Sequence, residues 1–262
     1  MRLFEAVILE NTQLAPSIFN MRVKVPNTFR AVPGQFVNIY LNRPDMLLPR
    51  PISICGLEED TLRLVYQIAG KGTGYMAGLG RWELLRIAGP LGNGFNIASS
   101  GEGMSGAGLE LLIGGGIGAA PLLFLARRLK PAMVILGFRS ASSVILAGEF
   151  LSLGWETVVS TDDGSVGYHG RVTDAARDLT GGVKTSAIYV CGPRIMLKKA
   201  AEYAAERSIP CHVAMEERMG CGIGACLCCP APVIGNGSRT YKKVCKDGPV
   251  FDADSIAWEE LS

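Results

Sequence analysis

The 262 residues predict a β plus α/β protein: an N-terminal antiparallel barrel, a doubly wound parallel sheet with helices, and a small C-terminal cysteine module. Three observations carry this. Up to about residue 98, short apolar runs are separated by Pro, Gly and Asn, as in an all-β segment. From residue 109 onward, apolar strands alternate with amphipathic helical stretches, the pattern of a parallel sheet. Near the end, four cysteines stand at metal-ligand spacing.

The first unit, residues 1–98, contains the strand-like runs FEAVILEN, SIFNMRVKV, QFVNIYL, RPISICG, TLRLVYQI and WELLRIAG, with one helical stretch at residues 75–79. Residues 99–108, SSGEGMSGAG, have no apolar period and read as a flexible boundary. The second unit, residues 109–214, alternates LELLIGG, APLLFLARRLK, AMVILGFRS, ETVVSTDDG, RVTDAARDL, AIYVCGP and MLKKAAEYAAERS. The third, residues 215–262, opens with MEERMGCGIGACLCC and continues through APVI, Gly235-Asn236-Gly237 and RTYKKV. Asn-Gly between two such runs signals a hairpin, which folds the chain back and returns Cys245 to the cysteine loop.

Composition narrows the function classes. With 26 basic and 24 acidic residues and no basic run interleaved with aromatics, nucleic acid is not an expected partner. Arg2, Glu5 and Glu10 break the N-terminal apolar stretch, so no signal peptide is expected. The apolar run at residues 109–129 contains Glu110, several glycines and Pro121, so no membrane span is expected either, and the protein reads as cytoplasmic. Eight cysteines in such a compartment are not expected to form disulfides. Cys55, Cys191 and Cys211 read as buried small apolar residues.

The spacing Cys221-x4-Cys226-x2-Cys229-x15-Cys245 begins as the plant-type pattern of a [2Fe–2S] cluster, in which four thiolates hold two irons. Cys228, inside the same loop, could replace Cys229 only by shortening the second spacing. A structural zinc site is the bland alternative, although it commonly uses two C-x2-C knuckles and only Cys226 and Cys229 form one. Gly114-Gly115-Gly116-Ile117-Gly118 follows an apolar strand and precedes a helix with Pro121 in its first turn. Glycines there let a dinucleotide pyrophosphate approach the backbone and the helix N-terminus. As G-x-G-x-x-P, the motif departs from the dinucleotide fingerprint at its last position. Arg50-Pro51-Ile52-Ser53 offers a guanidinium fork and a hydroxyl, expected on one face of a strand, and the fork suits a pyrophosphate. Gly70-Lys71-Gly72-Thr73 opens the helical stretch and offers Thr73 and backbone N–H groups as a second phosphate contact. His169 and His212 are expected to be structural.

These motifs, together with GPLGNGF at residues 89–95 and Cys191-Gly192-Pro193, resemble the ferredoxin–NAD(P)+ reductase superfamily. With the added cysteine module, the chain resembles, nearly end to end, the electron-transfer subunits of NAD-dependent class B dihydroorotate dehydrogenases. The resemblance implies a Greek-key FAD-binding barrel at residues 1–98, an NAD-binding domain at 109–214 and a [2Fe–2S] module at 215–262. FAD would meet Arg50, Pro51, Ile52 and Ser53, Val65, Tyr66 and Gln67, and Gly72 and Thr73. The family commonly has Tyr-Arg where this chain has Tyr66-Gln67. NAD would meet Gly115, Gly116 and Gly118. Where NADP-using relatives carry a Ser-Arg pair, this chain has Ser160-Thr161-Asp162-Asp163, so Asp162 is expected to favour NAD. Cys191 would lie near the nicotinamide, although packing accounts for it equally well. Cys221, Cys226, Cys229 and Cys245 would hold the cluster.

Cofactors do the redox chemistry in this family, so no catalytic triad is expected. The partner implied is an FMN-containing dihydroorotate dehydrogenase catalytic subunit, docking near the cysteine loop in a heterotetramer of two copies of each. Subunits of NAD(P)H–ferredoxin transhydrogenases and sulfide dehydrogenases share the same motifs. A zinc-bearing redox-sensing protein is the non-enzyme alternative.

Overall fold

The computed structural model describes residues 2–97, 108–235 and 237–261. The boundary expected at residues 99–108 therefore lies, apart from Gly108, outside the described residues, as does Asn236 of the expected turn.

The first six apolar runs form β1 (Arg2–Ala15), β2 (Ile18–Lys24), β3 (Phe36–Tyr40), β4 (Arg50–Glu58), β5 (Thr61–Gln67) and β6 (Leu84–Leu91). They close into an antiparallel barrel in the order β1-β2-β5-β4-β3-β6. β3, β4 and β5 are successive neighbours and β6 returns beside β3, which is a Greek key. Alternation sets the two faces: Val37 and Ile39 of β3 join Ile8, Met21, Leu64 and Ile87 inside, whereas Phe36 belongs to a different core outside the barrel. The expectation that Arg50 and Ser53 share a face is corrected here. Their register is unshifted, Arg50 opposite Ile39 and Ser53 opposite Phe36, so a three-residue offset puts them on opposite sides of β4. The helix α1 (Lys71–Ala77) starts earlier than expected. The Thr73 hydroxyl accepts from Ala69 N (2.8 Å) and Gly70 N (3.2 Å) and so closes the first turn.

The second unit supplies β7 (Leu109–Gly115), α2 (Ala119–Ala126), β8 (Met133–Phe138), α3 (Ala147–Ser152), β9 (Glu156–Thr161), β10 (Tyr168–His169), α4 (Val172–Thr180), β11 (Thr185–Cys191), α5 (Arg194–Glu206) and β12 (Cys211–Ala214). The third supplies β13 (Pro230–Gly235), β14 (Ser238–Lys243) and β15 (Val250–Asp252). The large sheet runs β10-β9-β8-β7-β11-β12-β15, parallel except for β15 at its edge. The order reverses between β7 and β11, which creates the crevice typical of doubly wound sheets. α4 is amphipathic as expected, burying Val172, Ala175, Ala176 and Thr180.

α2 is not amphipathic. All eight of its residues are buried, and it ends at Ala126 instead of continuing to Lys130. The reason is its position between β4 of the barrel and β7 and β11 of the sheet, with Phe124 inserted into the barrel core. The apolar run at residues 109–129 is thus a buried strand and a buried helix. No helix among the described residues is long and apolar enough to cross a membrane.

Around this helix the two units are also joined by ion pairs. Arg63 on β5 forms a fork onto Glu149 of α3 (2.5 and 2.8 Å), and Arg127 reaches Glu149 (3.7 Å) and Glu58 of β4. The third unit shares one core with the sheet: Cys229, Ala231, Val233 and Cys245 pack with Val190, Val213 and Phe36.

Candidate functional site

A cleft of about 840 Å³ opens at the carboxyl ends of β7, β8, β9 and β11, at the crevice the strand order predicts. The barrel closes one wall with Gln67, and the sheet contributes Gly115, Gly116, Asp162, Pro193 and Met196. The glycines serve different ends. Gly116 has φ +53° with open space around it, which leaves its backbone free to approach a ligand. A Cβ at Gly115 would lie 2.6 Å from Met196 Sδ, and one at Gly118 would overlap the Cys191 carbonyl oxygen. Gly118 is therefore held by packing and lies outside the cleft lining. Asp162 is in the lining, but so are Arg139 and Arg171, which sequence reading missed. The signal for Arg139 was available, since it directly follows the apolar strand β8 at its carboxyl end.

The residues expected to hold FAD are partly gathered. Arg50 lies against the start of α1, so close that a Cβ on Gly72 would overlap its guanidinium. Arg50 and Gly72 thus form one unit, with Thr73 one residue away in the cap of the same helix. Gln67 is exposed and reaches the cleft. The Tyr66 side chain turns away into the barrel core, 2% exposed, stacked on Phe19 at 5.8 Å and donating to Asn11 Oδ1 (3.0 Å). Burial pushes its hydroxyl up to about 12. Ser53, opposite Phe36, lies on the other side of β4 from Arg50.

The cysteine loop sits on the outer face of the barrel, where Phe36 shares a core with Cys229 and Cys245. The Cys226 sulfur lies beside both Cys221 and Cys228, and the Cys245 sulfur lies beside Cys229. Among the described residues no three His, Cys, Asp or Glu side chains converge on one point. Backbone N–H groups aim at the sulfurs, from Ile223 (3.4 Å), Ala225 (3.3 Å) and Cys226 (3.4 Å) to Cys221, and from Gly224 (3.1 Å) to Cys245. Cys229 and Cys245 are buried, whereas Cys228 is exposed beside Cys226, bonded to its carbonyl (3.6 Å).

Two asparagines of the barrel hold the loop at both ends. Asn38 Nδ2 donates to the Cys221 carbonyl (2.9 Å), and Asn93 Nδ2 donates to the carbonyls of Lys246 (3.2 Å) and Asp247 (3.0 Å). Sequence reading placed the run GPLGNGF in the motif set but assigned Asn93 no role and missed Asn38. Cys55, Cys191 and Cys211 are all buried. Burial pushes the Cys191 thiol well up, with the nearby Glu216 carboxylate adding to the effect. His212 stacks on Tyr189 (5.3 Å) and pairs with Asp252 (2.8 Å) between adjacent strands, a structural arrangement.

Residues 216–257 match the family described as the iron-sulfur cluster binding domain of dihydroorotate dehydrogenase B. The electron transfer subunit of dihydroorotate dehydrogenase B (NAD(+)) from Desulforamulus reducens is 38% identical, over 98% of this chain and 99% of the relative. The subunit of the same name from Enterococcus faecalis is 40% identical over 95% and 96%. Among solved structures, a chain of an NADH-dependent reduced ferredoxin–NADP oxidoreductase superposes with TM-score 0.83 at 29% identity, over 98% of this chain and 91% of that one. A ferredoxin NADP+ reductase from Neisseria gonorrhoeae with bound FAD and NADP has TM-score 0.67 at 17% identity, over 79% and 92%, a likeness of fold alone.

Proposed function

The chain belongs to the electron transfer subunits of NAD(+)-dependent dihydroorotate dehydrogenase B, and on that premise we propose how its residues divide the work. The family's oxidoreductase function, FAD and iron–sulfur electron transfer in NAD-dependent dihydroorotate oxidation, is this chain's, and a subunit of that name works with a catalytic partner. We infer a [2Fe–2S] cluster held by Cys221, Cys226, Cys229 and Cys245. The plant-type spacing and the match of residues 216–257 to an iron-sulfur cluster binding domain support it, whereas a structural zinc site commonly uses two C-x2-C knuckles and this loop has one. Backbone N–H groups aimed at the Cys221 and Cys245 sulfurs are donors that iron-bound thiolates would accept.

FAD belongs at the barrel mouth, where the Arg50 guanidinium, with Nη1 donating to the Leu48 carbonyl, lies against Gly72 at the start of α1 and suits a pyrophosphate. NAD belongs in the cleft, with its phosphates at Gly115 and Gly116 before α2 and its adenosine end at Asp162. A flavin bound there would supply the exchange between two-electron hydride chemistry and one-electron transfer. The protein's part is to orient: Arg50 anchors the barrel side, Gln67 closes the cleft wall, and Phe36 and Asn38 carry the cysteine loop. FMN and dihydroorotate belong to the partner, in a heterotetramer of two copies of each chain.

The observation that carries this reading is the shared wall: one barrel contributes Gln67 to the nucleotide cleft and Asn38 to the cysteine loop. The purified chain should show a flavin spectrum and about two irons. Anaerobic NADH should bleach the flavin and then produce the electron paramagnetic resonance of a reduced cluster. A colourless protein carrying one zinc overturns the reading.

A further inference from the structure

Asn38 is fully buried on β3, and its neighbours Val37 and Ile39 point into the barrel, so its side chain lies on the outer face. Its register partner on β4 is Pro51, inside the run assigned above to the flavin. On its other side Nδ2 holds the Cys221 carbonyl at 2.9 Å. Gly222, at φ +69°, is pressed onto the amide so tightly that a Cβ there would overlap Nδ2. Only glycine satisfies both the left-handed backbone and that approach. The Asn38 Oδ1 is buried and accepts no hydrogen bond among the described residues. The Nδ2 donor satisfies the Cys221 carbonyl, and an apolar side chain at this position would leave that carbonyl without its partner. The amide dipole acts on any charge that changes nearby, and low local dielectric strengthens that effect.

We propose that Asn38 is a positioning residue that seats the Cys221 end of the cluster loop on β3, beside the flavin-holding strand β4, and tunes the one-electron step between the two sites. The proposal rests on the flavin and cluster reading above. One electron crosses, and no bond is made or broken.

The test uses the full-length holoprotein, wild type beside Asn38→Leu and Asn38→Asp, each assayed for iron and flavin content. Rapid anaerobic mixing with NADH separates flavin bleaching from cluster reduction, and a redox titration followed by electron paramagnetic resonance reads the cluster. In Asn38→Leu the flavin step should stay within about twofold, cluster reduction should slow by about tenfold or more, and the cluster signal should shift. Asn38→Asp should also have a lower midpoint potential than Asn38→Leu, because its added negative charge opposes the incoming electron. Wild-type rates and potential in iron-replete variants overturn the proposal, and so do flavin and cluster steps that fall together in proportion to lost iron. If Asn38→Leu does not fold, Asn38→Asp is compared with wild type: slowed cluster reduction with an unchanged flavin step supports the proposal, and wild-type rates and potential overturn it. A wild-type protein with no cluster signal instead refutes the reading on which the proposal rests.

Discussion

Cys228 and Cys229 are adjacent in the chain, yet one is exposed and the other is buried against Cys245. Cys229→Ser should therefore abolish the cluster signal and the bound iron, while Cys228→Ser retains both; iron analysis and electron paramagnetic resonance decide it. Asp162 lines the same cleft as Arg139 and Arg171, and on the proposed NAD site its carboxylate would repel a 2′-phosphate that the two arginines attract. Asp162→Ala should shift the NADPH to NADH preference towards NADPH by about tenfold, read as the ratio of kcat/KM values. Burial pushes the Cys55 and Cys211 thiols up to about 12, and Cys191 well up. All three should stay protonated at pH 8 and resist alkylation until denaturant is added, as mass spectrometry would show. The glycine run, the cysteine spacing and the buried cysteines were legible residue by residue, since each is a local requirement. Asn38 was not, because its contact to Cys221 joins positions 183 apart in the chain.

At the scale of elements, α2 shows where a sequence pattern misleads. Its run of apolar residues is consistent with a helix, but only a neighbour on every side explains why it has no polar face. Phe124 is its reach into the barrel, and Phe124→Ala should cost about 3–5 kcal/mol by urea denaturation. Because the side chain comes from the second unit and fills the core of the first, barrel and sheet should still lose structure in one transition. The strand pattern of both units was legible from alternation and from Gly and Pro punctuation. The opposite facing of Arg50 and Ser53 was legible as well, since alternation alone separates a three-residue offset.

Across the whole molecule, the barrel is the common support on which the nucleotide cleft and the cysteine loop are both built. Arg63, Glu149, Arg127 and Glu58 tie barrel to sheet, and the pair is partly exposed, 18% and 38% for Arg63 and Glu149. Glu149→Ala should cost about 1 kcal/mol, less at high salt, measured by chemical denaturation at two ionic strengths. Both ends of the cysteine loop return to the barrel through Asn38 and Asn93, and β15 then joins the large sheet, so the third unit has no core of its own. The sequence by itself determined the barrel strands, most elements of the sheet, the glycine turn before α2 and the cysteine spacing, because each depends on residues close in the chain, whereas the short α3, β10, β12 and β15 carried too little pattern to read. Tertiary structure alone decided that Asn38 holds the Cys221 end of the loop, that α2 is buried along its whole length, and that Arg171 shares the cleft with Asp162. Those outcomes depend on which surfaces meet once the barrel closes and the sheet packs on it, and contacts of that range leave no local pattern in the chain.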